Sequence, residues 1–213
     1  MKLYNAMLSP FAGRCRMQIY AKNLQMEFVE AYGEVSKEEL AVMNPMGKIP
    51  VLEDGNLILP ESGAINEYLE ERFPEPAMLP AESRDRARVR MLCRMADFYV
   101  FDAFAPLFAH LSRKHRDQDV VDRQLAALER GLTAVEHFIA EDGYASGPSL
   151  NLADCTLVPI LVFVTSYITF FGIENVLEPY PKLAAYWERV QKEESAARVI
   201  TEIRAAMKAK AGG

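Results

Sequence analysis

Strand-like patterning stops at residue 73, and that break constrains the fold more than any other feature. Before it, short apolar runs alternate with helical periods. After the crowded prolines Pro74, Pro76 and Pro80, only helical periods remain. The first part predicts strands over Lys2–Leu8, Met26–Tyr32, Ile49–Leu52 and Leu57–Leu59. It predicts helices over Ala12–Asn23, Ser36–Met43 and Ser62–Phe73. The last two strands flank Glu53-Asp54-Gly55-Asn56, and an Asp-Gly turn between apolar runs is a strong hairpin signal. The order is βαβαββα. The second part predicts one long helix over Arg84–Ser112 bent by Pro106, then helices over Asp119–Glu141, Asn151–Phe170, Pro181–Lys192 and Ser195–Lys208, with a frayed tail from Lys208 to Gly213. The expected architecture is α/β plus all-α: residues 1–77, a linker at 78–84, and a helical domain over 85–213.

The run Cys155–Gly172 carries no charge and approaches the length of a membrane span. Pro159 lies inside it, Thr156, Thr165, Ser166, Tyr167 and Thr169 are polar, and no Lys or Arg closely flanks it. Those features favour a helix buried at the centre of the helical domain. Asn151 followed three residues later by Asp154 predicts a capping box at its start. The chain is half hydrophobic and one quarter charged, with a net charge of −6. That balance excludes a disordered chain and argues against nucleic acid or anionic membrane as partners. Cys15, Cys93 and Cys155 form neither a disulfide framework nor a zinc pattern, and with three scattered His no metal is expected. The opening MKLYNAMLSP lacks an apolar signal core, which points to a reducing, cytoplasmic setting.

Three segments carry chemistry-bearing groups. Ser9-Pro10-Phe11-Ala12-Gly13-Arg14-Cys15-Arg16 joins the first strand to the first helix, where ligands of open α/β folds bind. A hydroxyl there either caps the helix or donates to an anion that the helix dipole also favours. In Asn44-Pro45-Met46-Gly47-Lys48-Ile49-Pro50, Pro50 opens a strand. A trans bond makes it an ordinary edge start, whereas a cis bond exposes the backbone of Ile49. In Leu59-Pro60-Glu61-Ser62-Gly63, Ser62 lies at a helix start, where its N–H suits a carboxylate; Glu61 suits an ammonium. The plain alternative there is an N-cap beside a solvated acid.

Taken in order, these motifs resemble the cytosolic glutathione transferase superfamily over nearly the whole chain. NPMGKIPVLEDGNLILPES resembles its NP-x-G-x-(V/I)-P-x-L…DG…ES signature. SPFAGRCR resembles the active-site turn of its serine-type classes (phi, tau, theta, delta) and points to a bacterial-like subclass. SLNLADCTLVPIL and YPKLAAYWERV resemble helices of its second domain. The resemblance implies a thioredoxin-like first domain and a detoxifying homodimer that conjugates glutathione, as co-substrate, to an electrophile. It implies that Ser9 hydrogen-bonds the glutathione sulfur, that Ile49, before a cis Pro50, pairs with the cysteinyl backbone, and that Glu61 and Ser62 hold the γ-glutamyl ammonium and carboxylate. Lys48 would lie near the glycyl end, and Phe11 beside the tripeptide. The second substrate would meet Phe11, Phe98, Asp102 and Ala105. The arginines Arg84, Arg86, Arg88, Arg90 and Arg94 form either a solvated face or part of the dimer interface.

Rival readings remain. Tyr4 is a candidate donor of the tyrosine type, although it lies early in its strand. Cys15 is a candidate mixed-disulfide nucleophile, although it falls inside the first helix. The Ser-Ser-Cys turn of the zeta class is absent. Glutathione-dependent dehalogenation, ether cleavage, isomerisation or thiol transfer uses the same thiolate, and a non-catalytic binding module keeps the same fold.

Overall fold

Leu3 and Leu52 are register partners on antiparallel strands, and both are fully buried. With Cys15, Ile19, Ile65 and Leu69 they form the core on one face of a four-stranded sheet. The computed structural model describes residues 1–212, with side chains over 1–210. The strands are β1 (Lys2–Asn5), β2 (Glu27–Glu30), β3 (Val51–Asp54) and β4 (Leu57–Pro60), in spatial order β2-β1-β3-β4. β1 and β2 are parallel; the β1–β3 and β3–β4 pairs are antiparallel. The helices are α1 (Pro10–Ala21), α2 (Lys37–Met43) and α3 (Ser62–Arg72). The expected βαβαββα order is present. β1 and β2 are shorter than the sequence suggested because their pairing ends before the chain turns toward a helix, β3 is shifted two residues beyond the expected Ile49–Leu52, and β4 extends one residue further to Pro60. Ser36 and Glu39 form a capping box that starts α2.

Nine of the twelve residues of α1 are buried. A helix covered on nearly all sides has no clean polar face, so its sequence shows weak periodicity. Gln18 Nε2 donates to the Asn66 carbonyl oxygen at 2.9 Å, lacing α1 to α3. Lys22 Nζ reaches Glu70 Oε2 at 2.8 Å and the carbonyl oxygens of Phe73 (2.7 Å) and Pro76 (2.6 Å). That cation holds the segment leaving α3.

The second part contains α4 (Ser83–Met95), α5 (Asp102–Phe104), α6 (Gln118–Phe138), α7 (Leu152–Tyr167) and α8 (Pro181–Val190). The single long helix expected over Arg84–Ser112 is instead a series. α4 passes into a π-helical stretch, Ala96–Phe101, then α5, then a 3₁₀ stretch, Ala105–His110. The backbone stays helical while its winding changes. Gly131 of α6 faces this stretch: a Cβ there would collide with the Tyr99 carbonyl oxygen, so α6 approaches the π-helical backbone directly.

α7 answers the membrane-length question for this structure. Leu152–Phe171 is long and apolar enough to cross a membrane by composition, yet every residue from Leu152 to Val164 is buried inside the protein. The hydroxyls of Thr156 and Thr165 donate to the carbonyl oxygens of Leu152 (3.0 Å) and Leu161 (2.7 Å) one turn earlier, which makes them compatible with burial. Asn151 and Asp154 form the expected capping box, and Asp154 also accepts from the Ala145 N–H at 2.8 Å.

α9 (Glu194–Gly212) extends past the point where fraying was expected, and Gly213 lies outside the described residues. By its contacts α9 belongs to the first compact unit, with Met1–Met78, while Leu79–Lys192 forms the second. It packs along α1. The break between Met78 and Leu79 falls within the linker expected at 78–84, and the difference lies at the other end: the last helix returns to the first unit.

Candidate active site

The pairing register brings three separate segments to one end of the sheet. Val51 pairs with Tyr4 on one side and with Pro60 on the other. The residues just after β1, just before β3 and just after β4 therefore share an edge. Those segments carry Ser9, then Lys48, Ile49 and Pro50, then Glu61 and Ser62. Two helix N-termini, of α1 and α3, open at this end, and the dipoles of both favour an anion there.

Ser9 is the N-cap of α1, with extended backbone, and its Oγ accepts from the Ala12 N–H at 3.2 Å. The cap and donor readings are compatible, because a hydroxyl has two acceptor lone pairs and one proton. The cap occupies a lone pair. No acceptor among the described residues takes the proton, and the side chain is only half-buried.

The Ile49–Pro50 peptide is cis. The β1–β3 ladder ends at the Tyr4–Val51 pair, so Ile49 lies beyond it. The loop before it is organised by Asn44, a role that motif reading did not assign. Asn44 Nδ2 donates to the Lys48 carbonyl oxygen at 2.8 Å, and its Oδ1 accepts from Met46 N–H at 3.1 Å. An Asn that turns back on its own backbone after a helix was the available signal. Lys48 itself is exposed.

Glu61 has φ 72°, a conformation that non-glycine residues rarely adopt and that persists where surrounding structure enforces it. It is the N-cap residue of α3 but provides no side-chain cap, so the expected capping serine is replaced. Ser62 is instead the first helical residue and is buried. The leading N–H groups of α3 thus lack a side-chain cap at the shared end. The Cys15 thiol donates to the Ser62 carbonyl oxygen at 3.6 Å, which ties α1 to this helix start. Phe11 is partly buried with the Arg14 guanidinium 5.3 Å above its ring.

Residues 3–77 match the family model described as glutathione S-transferase, N-terminal domain, and residues 118–189 match that described as glutathione S-transferase, C-terminal domain. Glutathione S-transferase Z2 of Arabidopsis thaliana is 30% identical over 198 residues, covering 88% of this chain and 85% of that protein. The chain belongs to the glutathione S-transferase family. Maleylacetoacetate isomerase of Pseudomonas aeruginosa is 32% identical over 192 residues, covering 86% of the transferase and 87% of the isomerase. The solved holo structure of a bacterial maleyl pyruvate isomerase, a zeta-class glutathione S-transferase, superposes with a TM-score of 0.76 at 27% identity, covering 93% and 96% of the two chains. The zeta-class relatives share this fold although the transferase has Ser9-Pro10-Phe11 in the turn.

Two rival side chains are engaged elsewhere. The Tyr4 hydroxyl donates to Glu53 Oε2 at 2.6 Å; that bond and partial burial push its pKa up to about 12, so it neither ionises near neutrality nor has its proton free. Cys15 is fully buried, and burial pushes its thiol up to about 12, outweighing the nearby Arg14 and Arg16. A protonated, inaccessible thiol is not a nucleophile. Cys15 is therefore expected to stay unmodified when the native transferase is treated with iodoacetamide at neutral pH. Mass spectrometry of its peptide reads this, and prompt alkylation would show the thiol to be open.

On the second unit, Phe98 and Asp102 line one surface hollow of about 460 Å³ with Tyr99, Ala103 and Arg130; Ala105 does not line it. Uniform α-helical spacing puts positions 98, 102 and 105 on one face. The change from π to 3₁₀ winding removes that constant step. Among the described residues no group of three or more His, Cys, Asp or Glu converges on a metal-sized site.

Proposed function

We propose that this transferase joins the thiolate of glutathione to an electrophilic, largely apolar second substrate, with Ser9 donating the hydrogen bond that keeps the sulfur ionised. The observation that carries the reading is the Ser9 hydroxyl: it caps α1 through a lone pair and retains its proton at the end of the sheet where two helix N-termini open. Glutathione is the co-substrate, as in the family. The uncapped start of α3 at Ser62 suits the γ-glutamyl carboxylate, and Glu61 its ammonium. Ile49, Pro50, Lys48 and Phe11 complete the tripeptide site in this reading, and Phe11, Phe98 and Asp102 meet the acceptor, Ala105 lying outside the Phe98–Asp102 hollow. The protein binds, deprotonates and orients without becoming the covalent nucleophile.

The same proposal includes a cytoplasmic homodimer with a role in detoxification. Tyr99, 55% exposed, supports an association surface on the helical unit.

A second reading is favoured by the relatives named as maleylacetoacetate and maleylpyruvate isomerases. There the thiolate would add to a cis double bond, forming a C–S bond, and leave again after rotation, so that glutathione is regenerated. One experiment separates the readings. The enzyme is retained on immobilised glutathione, eluted, and assayed with aryl halides, epoxides and a maleyl diketo acid. Stable thioether products support conjugation; turnover of the maleyl compound with glutathione unconsumed supports isomerisation. Failure to bind the resin would favour a non-catalytic module.

A further inference from the structure

We infer that Arg16, anchored by Glu202 of the last helix, is a positioning residue that fixes the β1–α1 turn from which Ser9 presents its hydroxyl; the inference rests on the proposed role of Ser9. Arg16 lies two turns into α1, and its side chain is fully buried. Its guanidinium faces back to the turn. Nη1 donates to Asn5 Oδ1 at 2.7 Å and to the Ala6 carbonyl oxygen at 3.1 Å; Nη2 donates to the Met7 carbonyl oxygen at 3.0 Å. Three successive residues are held by one rigid fork. The Ala6 carbonyl oxygen also accepts from the Ser9 N–H at 3.0 Å. One carbonyl thus joins the guanidinium to the backbone of the serine.

The remaining nitrogen, Nε, donates to Glu202 Oε2 at 3.0 Å. Glu202 is itself fixed, because its Oε1 accepts from the Tyr20 hydroxyl at 2.9 Å and from Arg198 Nε at 3.2 Å. Arg198 stacks on the Tyr20 ring with 3.7 Å from guanidinium carbon to centroid. All of these residues belong to the first compact unit. A planar guanidinium with donors on two sides is needed to span a carboxylate and three oxygens of a turn, and a lysine ammonium cannot reproduce that geometry.

Glu202 neutralises the Arg16 charge at close range, so Arg16 acts by geometry rather than by its field. This gives the test a sign. The pKa of bound glutathione is read from thiolate absorbance across pH in the wild type, Arg16→Lys, Glu202→Gln and Ser9→Ala enzymes, and in each of the first two changes combined with Ser9→Ala. The positioning role expects Arg16→Lys to raise the thiol pKa by about one unit, about tenfold less thiolate on the acidic side of the titration. It expects Glu202→Gln to raise it in the same direction by less, with the KM for glutathione within about threefold and kcat lowered. In the Ser9→Ala background neither change should move the titration further, because both act through that hydroxyl.

If Arg16 acted by charge, freeing it from Glu202 would lower the thiol pKa, and that result overturns the proposal. Variants that lose thermal stability but titrate like wild type also overturn it, since they leave Arg16 only a structural part. Should Arg16→Lys fail to fold, Glu202→Gln carries the same sign test. An unmoved titration in Ser9→Ala would remove the serine itself and the positioning role with it. A shift in Ser9→Ala with none in the other two removes only Arg16 and Glu202.

Discussion

Ser9→Ala is expected to raise the pKa of enzyme-bound glutathione by about one to two units, the share its hydroxyl supplies, and to slow conjugation by tenfold or more on the acidic side of the pH profile. A free thiol has a pKa near 8.5, and only the thiolate attacks efficiently. Lowering that value by about two units needs about 2.7 kcal/mol of preference for the charged form. One hydrogen bond to a charged acceptor contributes about 1.5–3 kcal/mol, and a helix N-terminus adds about 0.3–1 kcal/mol. The Ser9 hydroxyl and the start of α1 together therefore suffice. The sign follows from which form is stabilised: without the donor the thiolate loses support, so the rising limb of the pH–rate profile moves to higher pH. The same change removes the cap on Ala12, at about 1 kcal/mol of stability. The absorbance titration is therefore made on enzyme shown by circular dichroism to be folded. Coincident titrations of the two proteins would remove Ser9 from the mechanism.

Gly131→Ala is expected to destabilise the helical unit strongly, by about 3 kcal/mol or more. Helix propensity alone predicts the reverse, since alanine is better than glycine inside a helix by about 0.8–1.0 kcal/mol. Sterics decide the sign. The added Cβ would collide with the Tyr99 carbonyl oxygen and stand 2.6 Å from its carbonyl carbon. Both are backbone atoms, so no rotamer change relieves the overlap. α6 and the π-helical stretch would have to separate, loosening the packing around buried Val100 and Leu132. At about 2–4 °C per kcal/mol for a chain of this size, the melting temperature should fall by about 6–12 °C or more. An unchanged or higher melting temperature would show that the two backbones separate at little cost.

Much of the fold was legible where its signals are local. The Asp-Gly hairpin, the capping serine of α2 and the Asn151–Asp154 box each depend on residues within a few positions of one another, and each appears where the motif lies. Ser9 was legible as a cap, and the proposed donor role is compatible with it because the cap uses only a lone pair of the hydroxyl. The π-helical winding of Ala96–Phe101 was not legible, because no glycine or proline inside it marks the change, whereas the 3₁₀ stretch begins beside Pro106, where a bend was expected. The positive φ of Glu61 was equally hidden, since no glycine or asparagine marks it. Arg16 read as one more basic residue beside Arg14. Its meaning depends on Glu202, and nothing local announces a partner at that separation.

The return of α9 to α1 has a consequence for how the enzyme is made. Ser9, Ile49, Glu61 and Ser62 all leave the ribosome before α4 is made, yet the carboxylate that completes the Arg16 contacts follows only in α9. A nascent chain stopped after α8 would display every residue proposed to touch glutathione while its opening turn still lacked its brace. On the proposed roles, the opening turn depends on a residue made well after the site's own segments, and a chain shortened before Glu202 would keep those segments without their brace.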